Sequence, residues 1–363
     1  MPAPLEHNPP DRRDEDAQYI AGYQEDEDFS DIDSDSSDIT TRSMSTLNSL
    51  EVNSYFREVY GRAYPADRNI PAFVPLDNGE AARLEIQHHY MKLMIGSNYF
   101  GPVLEILQPH PTRRKRVLDV FTADGTWAQE MATEFPHVDF VSLDMIPLVP
   151  HAPRPNISFE VYDVYNGLAE PDASFDIVHA RRTITQSTPN DPGSTLFPGP
   201  HVIQAKRSLP VMTHGMYLLR KSLEAQSVRV DMWRELPELL TPGSSLWHLQ
   251  PHEREMKFDG VQTYSPIVET DCARPVKGFK DVTSRIHIYP TTGWHQSPRL
   301  RALGEIVQQT GEWSWRNFGL LFRQGNLMDE KQANELIEAG QEERTSREIW
   351  QVMRYHTIYA TKI

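Results

Sequence analysis

The chain is poor in cysteine and in positive charge, and it has no long apolar run. A single cysteine, Cys272, among 363 residues excludes an internal disulfide framework and a zinc site built on several thiolates, and it suits a reducing compartment. Lys and Arg number 36 against 51 Asp and Glu, a formal net charge of −15. That balance argues against a nucleic-acid partner bound through its phosphates. No stretch approaches the roughly 18 consecutive apolar residues of a membrane span, and Met1 to Glu6 lacks the basic-then-apolar pattern of a secretory signal. The expectation is a soluble intracellular protein, with neither nucleic acid nor membrane as a partner and with no metal site.

The negative charge is unevenly spread. Residues 1–50 hold 13 acidic and 3 basic side chains, so ten of the fifteen surplus charges lie there. The run Glu25-Asp26-Glu27-Asp28-Phe29-Ser30-Asp31, followed by Asp33, Asp35 and Asp38, buries too little apolar surface to offset the entropy of ordering it. Residues 1–50 therefore read as a disordered acidic arm, either merely solubilising or a site for protein partners. Residues 51–110 read as an N-terminal strap and a helix. The strap mixes Tyr55, Phe56, Tyr60, Tyr64 and Phe73 with prolines. The helix opens on Asp77, with Glu80 three residues on to complete a capping box. Ala81, Leu84, His88, Met91 and Ile95 then recur at the three- and four-residue steps of one buried face.

From residue 111 the chain alternates. After the basic cluster Arg113-Arg114-Lys115-Arg116, Val117 to Val120 is a short apolar strand. The turn Phe121-Thr122-Ala123-Asp124-Gly125 and a helix over Thr126 to Phe135 follow it. Further strands run over Val138 to Leu143, Ile157 to Tyr162 and Phe175 to Ala180. Such alternation implies a parallel α/β sheet with its ligand outside the carboxyl ends of the strands. Three of those ends carry acids: Asp119, Asp144 and Asp163. An acid ending the second strand suits ribose hydroxyls, since one carboxylate accepts from both. The first turn lacks the Gly-x-Gly-x-x-Gly spacing of a pyrophosphate cradle, and its acidity suits a cationic ligand. Toward the C-terminus, Val282 to Tyr289 reads as a strand, about 298–348 as a helical cap, and Val352 to Lys362 as a last, antiparallel strand.

The motifs Val117-Leu118-Asp119-Val120-Phe121-Thr122-Ala123-Asp124-Gly125-Thr126-Trp127, Ser142-Leu143-Asp144 and Phe175-Asp176-Ile177-Val178-His179-Ala180-Arg181 resemble class I S-adenosylmethionine-dependent methyltransferases. Gln87-His88-His89, Gly293-Trp294-His295-Gln296-Ser297-Pro298 and Tyr355-His356-Thr357-Ile358-Tyr359-Ala360 are similar to the fungal LaeA-like branch of that family. The resemblance runs over about residues 54–363 and is patchy between 185 and 275.

It implies a Rossmann-like seven-stranded sheet with an antiparallel last strand, and S-adenosyl-L-methionine as cosubstrate. In such a site Asp119 and Asp124 meet the methionine ammonium and the helix starting at Thr126 meets its carboxylate. Asp144 holds the ribose, Asp163 the adenine amine, and Thr122, Ala123 and Gly125 line the turn. The family pattern has glycine where Phe121, Ala123 and Gly125 stand, so two of three glycines are replaced, at positions where a Cβ is costly. The implied activity is O-methylation of a small natural product in secondary metabolism, by a cytoplasmic enzyme. The alternatives are a nuclear regulator acting through protein partners and a catalytically silent scaffold. His88, His89, His179 and His295 are the candidate bases, because histidine is the usual base near neutral pH. A fifth strand is sought at Leu240 to Leu249, about sixty residues past Arg181.

Overall fold

The computed structural model describes residues 19–22, 44–148, 151, 154–164, 168, 170–171, 173–181, 209–230, 232–244, 247, 278–324, 327–345 and 350–363. Its centre is a parallel sheet. Strands β5 (Lys115–Val120), β6 (Val138–Asp144), β7 (Ile157–Val161) and β8 (Ile177–Ala180) pair in parallel in the order β7-β6-β5-β8. The middle strands bury apolar residues on both faces, Val117 and Phe140 on one and Leu118, Val141 and Leu143 on the other, as parallel sheets require, whereas Val178 of β8 is exposed. Val117, Phe140, Ile157 and Phe159 look to one face and pack on Trp127, Met131 and Phe135, which extend from helix α4 (Thr126–Glu134). Leu118, Val141 and Leu143 look to the other face, with Tyr162.

Helix α2 (Asn78–Ile95) lies on the α4 side, and the short helix α3 (Val103–Ile106) follows it. Asp77 caps it by accepting the Glu80 N–H. The expected capping box is only half made, because the Glu80 carboxylate turns inward to Arg83 and Asn317 and is fully buried. Leu84, His88 and Met91 form the buried face that the periodicity predicts. The hairpin β3 (Phe56–Val59) and β4 (Arg62–Pro65) falls within the strap. Its Tyr64 packs with Ala72 on Leu320 of the C-terminal helices.

Two pieces of the expected disordered arm are placed in the structure. Strand β1 (Tyr19–Gly22) adds in parallel to β7, and β2 (Met44–Leu47) pairs antiparallel with β1, making the main sheet six-stranded. Leu47 is buried against Val161, and Asn48 caps helix α1 (Ser49–Ser54) with a full capping box. The boundary drawn at residue 51 is thus too late, since apolar Leu47 and a capping residue precede it; the rest of the arm lies outside the described residues.

Helices α5 (Pro210–Ala225) and α6 (Met232–Leu240) precede a second, two-stranded sheet. In it β9 (Phe279–Pro290) pairs antiparallel with β10 (Val352–Lys362). Between those strands run α7 (Pro298–Asn317), α8 (Gly319–Arg323) and α9 (Glu330–Thr345). They close on α5 around Trp315, Leu321 and Phe322. Gly340 lets Trp315 in: a Cβ there would meet the indole at 2.6 Å. Among the described residues the β9–β10 pair is separate from the main sheet, and no strand continues that sheet past β8. The sought fifth strand begins in α6 and runs on beyond the described residues.

Candidate active site

The carboxyl ends of β5, β6 and β8 meet beneath the first turn of α4. The turn keeps a left-handed backbone at every position where the family has glycine: φ is +59° at Phe121, +56° at Ala123 and +71° at Gly125. The first two carry a Cβ there at a cost of about 1 kcal/mol each. The conformation is locked by its neighbours. Thr122 N–H donates to the Leu143 carbonyl, its hydroxyl lies 2.5 Å from the Ser142 hydroxyl, and Gly125 N–H donates to the Thr122 carbonyl. Gly125 has no alternative residue type, because a Cβ would stand 2.4 Å from His151, which is itself stacked on Phe159. It is also the N-cap of α4 and offers no side chain to the leading N–H groups of that helix, which leaves them to an incoming anion.

Asp119, Ser142 and His179 are register partners across β6-β5-β8, so their side chains form a row on the α4 face. Asp119 is buried; its Oδ1 lies 2.7 Å from His179 Nδ1, and its Oδ2 accepts from Ser142 Oγ at 3.3 Å. The His179 ring stacks on Trp127 with centroids 3.5 Å apart. An imidazole whose Nδ1–H donates to a carboxylate keeps Nε2 as its acceptor nitrogen.

Asp144 ends β6. Its Oδ2 accepts the Ala123 N–H at 2.9 Å and its Oδ1 those of Met145 and Ile146. Burial lifts its carboxyl to about 6, against the downward pull of those three N–H groups. Asp124 is buried and accepts from the Thr126 hydroxyl, while Asp163 is exposed past the end of β7.

Of the four histidines, His88 and His179 come to this layer. His88 is fully buried on α2. Its Nδ1 lies 2.8 Å from Arg181 Nη2 and its Nε2 lies 3.2 Å from Glu130 Oε2. Guanidinium only donates, so Nδ1 is the acceptor and Nε2 bears the hydrogen, which leaves no lone pair for a substrate proton. Burial first, and then the Arg181 charge, hold His88 down at about 4. For Glu130, burial is outweighed by Lys92, Asn98 and His88, and its carboxyl falls to about 2.

His89 is exposed on the next position of α2. With His88 and Glu130 it makes a group close enough to share a metal ion, but Lys92 Nζ already sits 2.5 Å from Glu130. His295 serves α7, its Nδ1 accepting the Ser297 N–H. Residue order alone did not single out Trp127, Ser142 or Arg181. The signal for Arg181 was alternation, since it lies two residues past His179 and so on the same side of its strand.

No protein-family model matches the chain. Among curated proteins it is 35% identical over 127 residues to "Secondary metabolism regulator laeA" of Coprinopsis cinerea, a match to 34% of this chain and 31% of that one. The chain thus spans about a third of that relative's length. It is 29% identical over 212 residues to "Methyltransferase str3" of Strobilurus tenacellus, covering 54% and 73%. It is 30% identical over 285 residues to "Secondary metabolism regulator LAE1" of Cochliobolus heterostrophus, covering 76% and 81%.

Proposed function

From the chain's membership of the LaeA-like S-adenosylmethionine-dependent methyltransferase family, we propose that it methylates a small natural product, at oxygen. The observation that carries this reading is the turn at 121–125. Two residues with side chains hold the left-handed backbone that glycine would adopt freely, directly beside Asp144. Strain of that kind persists where the surroundings over-determine it, as at ligand sites.

The donor set fits the cosubstrate. Asp144 presents a carboxylate to the ribose hydroxyls, the uncapped start of α4 presents N–H groups to an anion, and Asp119 and Asp124 supply negative charge near a sulfonium and an ammonium. Asp163 at the β7 end is the partner for the adenine amine. When bound, S-adenosylmethionine supplies an electrophilic methyl group. The chain's own work is to align an acceptor with it, at about 3 to 3.5 Å. His179, oriented by Asp119 and clamped by Trp127, is the residue that takes a hydroxyl proton at Nε2.

Calorimetry of the full chain with S-adenosylhomocysteine tests the cosubstrate, and label transfer from methyl-labelled S-adenosylmethionine to hydroxylated acceptors tests the reaction. His179→Gln should leave cosubstrate affinity within twofold and lower turnover about 100-fold or more. Undiminished turnover would take the base role from His179.

The relatives named as regulators favour a second reading, in which the chain works through protein partners in the nucleus and the acidic arm is the contact. A chain beginning at Met44 separates the two. An enzyme keeps cosubstrate binding and turnover, whereas a regulator loses its output in cells.

A further inference from the structure

The α4 face of the middle strands turns polar at one level. Toward the amino rim it carries Val117 and Phe140, and two residues further along the same strands it carries Asp119 and Ser142. Ser142 is fully buried, with Asp119 and with Thr122 of the adjoining turn buried beside it. A hydroxyl in a core costs free energy unless its hydrogen bonds are made, and alanine and valine would fill the same places without that cost. A side chain with no exposed surface meets no ligand, so the use of Ser142 lies in what it bonds.

The count of hydrogens fixes the direction of those bonds. Asp119 Oδ2 accepts from Ser142 Oγ at 3.3 Å, and a carboxylate has no hydrogen to give back. A serine hydroxyl has one hydrogen, so in the 2.5 Å contact between the two hydroxyls Thr122 donates and Ser142 accepts. The other oxygen of Asp119, Oδ1, lies 2.7 Å from His179 Nδ1. The chain therefore runs one way, from Thr122 through Ser142 to Asp119 and its histidine. Thr122 is itself held between the left-handed residues Phe121 and Ala123, with its N–H on the Leu143 carbonyl. The turn that follows β5 and a histidine of β8 are thereby parts of one bonded row.

We propose that Ser142 and Thr122 are positioning residues for His179: their hydroxyls fix the Asp119 carboxylate so that Oδ1 points at the imidazole, and they tie that pair to the 121–125 turn. The assignment rests on the reading of His179 as the base and adds the two residues that act on it through Asp119.

The test is titration of the His179 imidazole by NMR in the full chain carrying isotope-labelled histidine, with the signal assigned by its loss in His179→Gln. Ser142→Ala removes the donor that shares the Asp119 charge and leaves more of that charge for the imidazolium. The His179 pKa should then rise by about 0.3 to 1 pH unit. Thr122→Val should raise it less. Ser142→Cys, whose S–H donates weakly, should fall between Ser142→Ala and the native chain. Arg181 on β8, His88 and Glu130 behind it, and Asp124 in the turn are common to every chain compared, so the difference reports the hydroxyls. If Ser142→Ala fails to fold, the cysteine and valine variants carry the test. A His179 pKa within about 0.1 pH unit of the native value in the folded variants overturns the proposal, as does a fall. The titration uses no cosubstrate, so a chain that shows the rise and binds no S-adenosylhomocysteine overturns the cosubstrate reading alone.

Discussion

The two rims of the central sheet both carry acids and treat them in opposite ways. At the amino rim each is matched with a cation. Arg113 grips Asp176 with both Nη atoms, Lys115 reaches the same carboxylate at 3.1 Å, Arg114 holds Asp139, and Arg116 holds Glu170 through two bonds. The Asp176 carboxyl is pulled far below its ordinary range, chiefly by Arg113. At the carboxyl rim Asp119 is met by a histidine and a serine, and Asp144 by backbone N–H groups, with its carboxyl raised by burial. Acids neutralised by Arg and Lys hold a fold together, whereas acids held by a histidine, a serine or backbone N–H groups are placed to serve a ligand. The basic cluster at 113–116 belongs to the first kind.

The largest effect should come from breaking the carboxyl rim. Asp144→Asn removes the charge proposed to hold the two ribose hydroxyls and should weaken S-adenosylhomocysteine about 10- to 100-fold in calorimetry, as loss of charge-assisted bonds predicts. The native chain should also lose affinity as the pH falls through about 6, where Asp144 takes up its proton. The asparagine variant should show no such step. A step that survives in Asp144→Asn would place the titrating group elsewhere.

Breaking the amino rim should do the reverse. Asp176→Ala strips Arg113, Lys115 and the Arg116 N–H of their common acceptor. It should lower stability by about 1 to 2 kcal/mol in urea melts, with cosubstrate affinity unchanged. Because the folded state depresses the Asp176 pKa, its contribution is complete above the ordinary value of 3.8 and drains away as the pH falls further. The native and alanine chains should therefore converge in strong acid. Reduced affinity for S-adenosylhomocysteine in this variant would mean that the two rims are not independent.

The smallest effect concerns the turn. Ala123→Gly relieves a left-handed residue and should raise stability by about 1 kcal/mol. Adding Phe121→Gly should tighten cosubstrate binding as well. A lower melting temperature in the double variant would show that the half-buried Phe121 ring contributes more by packing than its backbone costs.

Much of this is legible in the sequence. The strand over 117–120, the helix from Thr126 and the acids at 119, 144 and 163 follow from local periodicity and from turn residues, which act within a few positions. What escaped reading depends on pairing across the chain. That Asp119 is engaged by His179 follows from a register between residues sixty apart. That Glu80 abandons its capping role follows from Asn317, more than two hundred residues away. The edge strands at 19–22 and 44–47 were masked by acidic flanks whose composition outweighs four-residue segments. By residue type alone His88 is a candidate base, and only the placement of Arg181 and Glu130 around it reveals that its lone pair is taken.

On the proposed reading the 121–125 turn holds S-adenosylmethionine although Phe121 and Ala123 stand where the family has glycine. Calorimetry of the full chain with S-adenosylhomocysteine at neutral pH tests it most directly. Saturable one-to-one binding is expected, weakened at least tenfold by Asp144→Asn. No heat of binding from a folded native chain, with binding appearing only when Phe121 and Ala123 are changed to glycine, would contradict it.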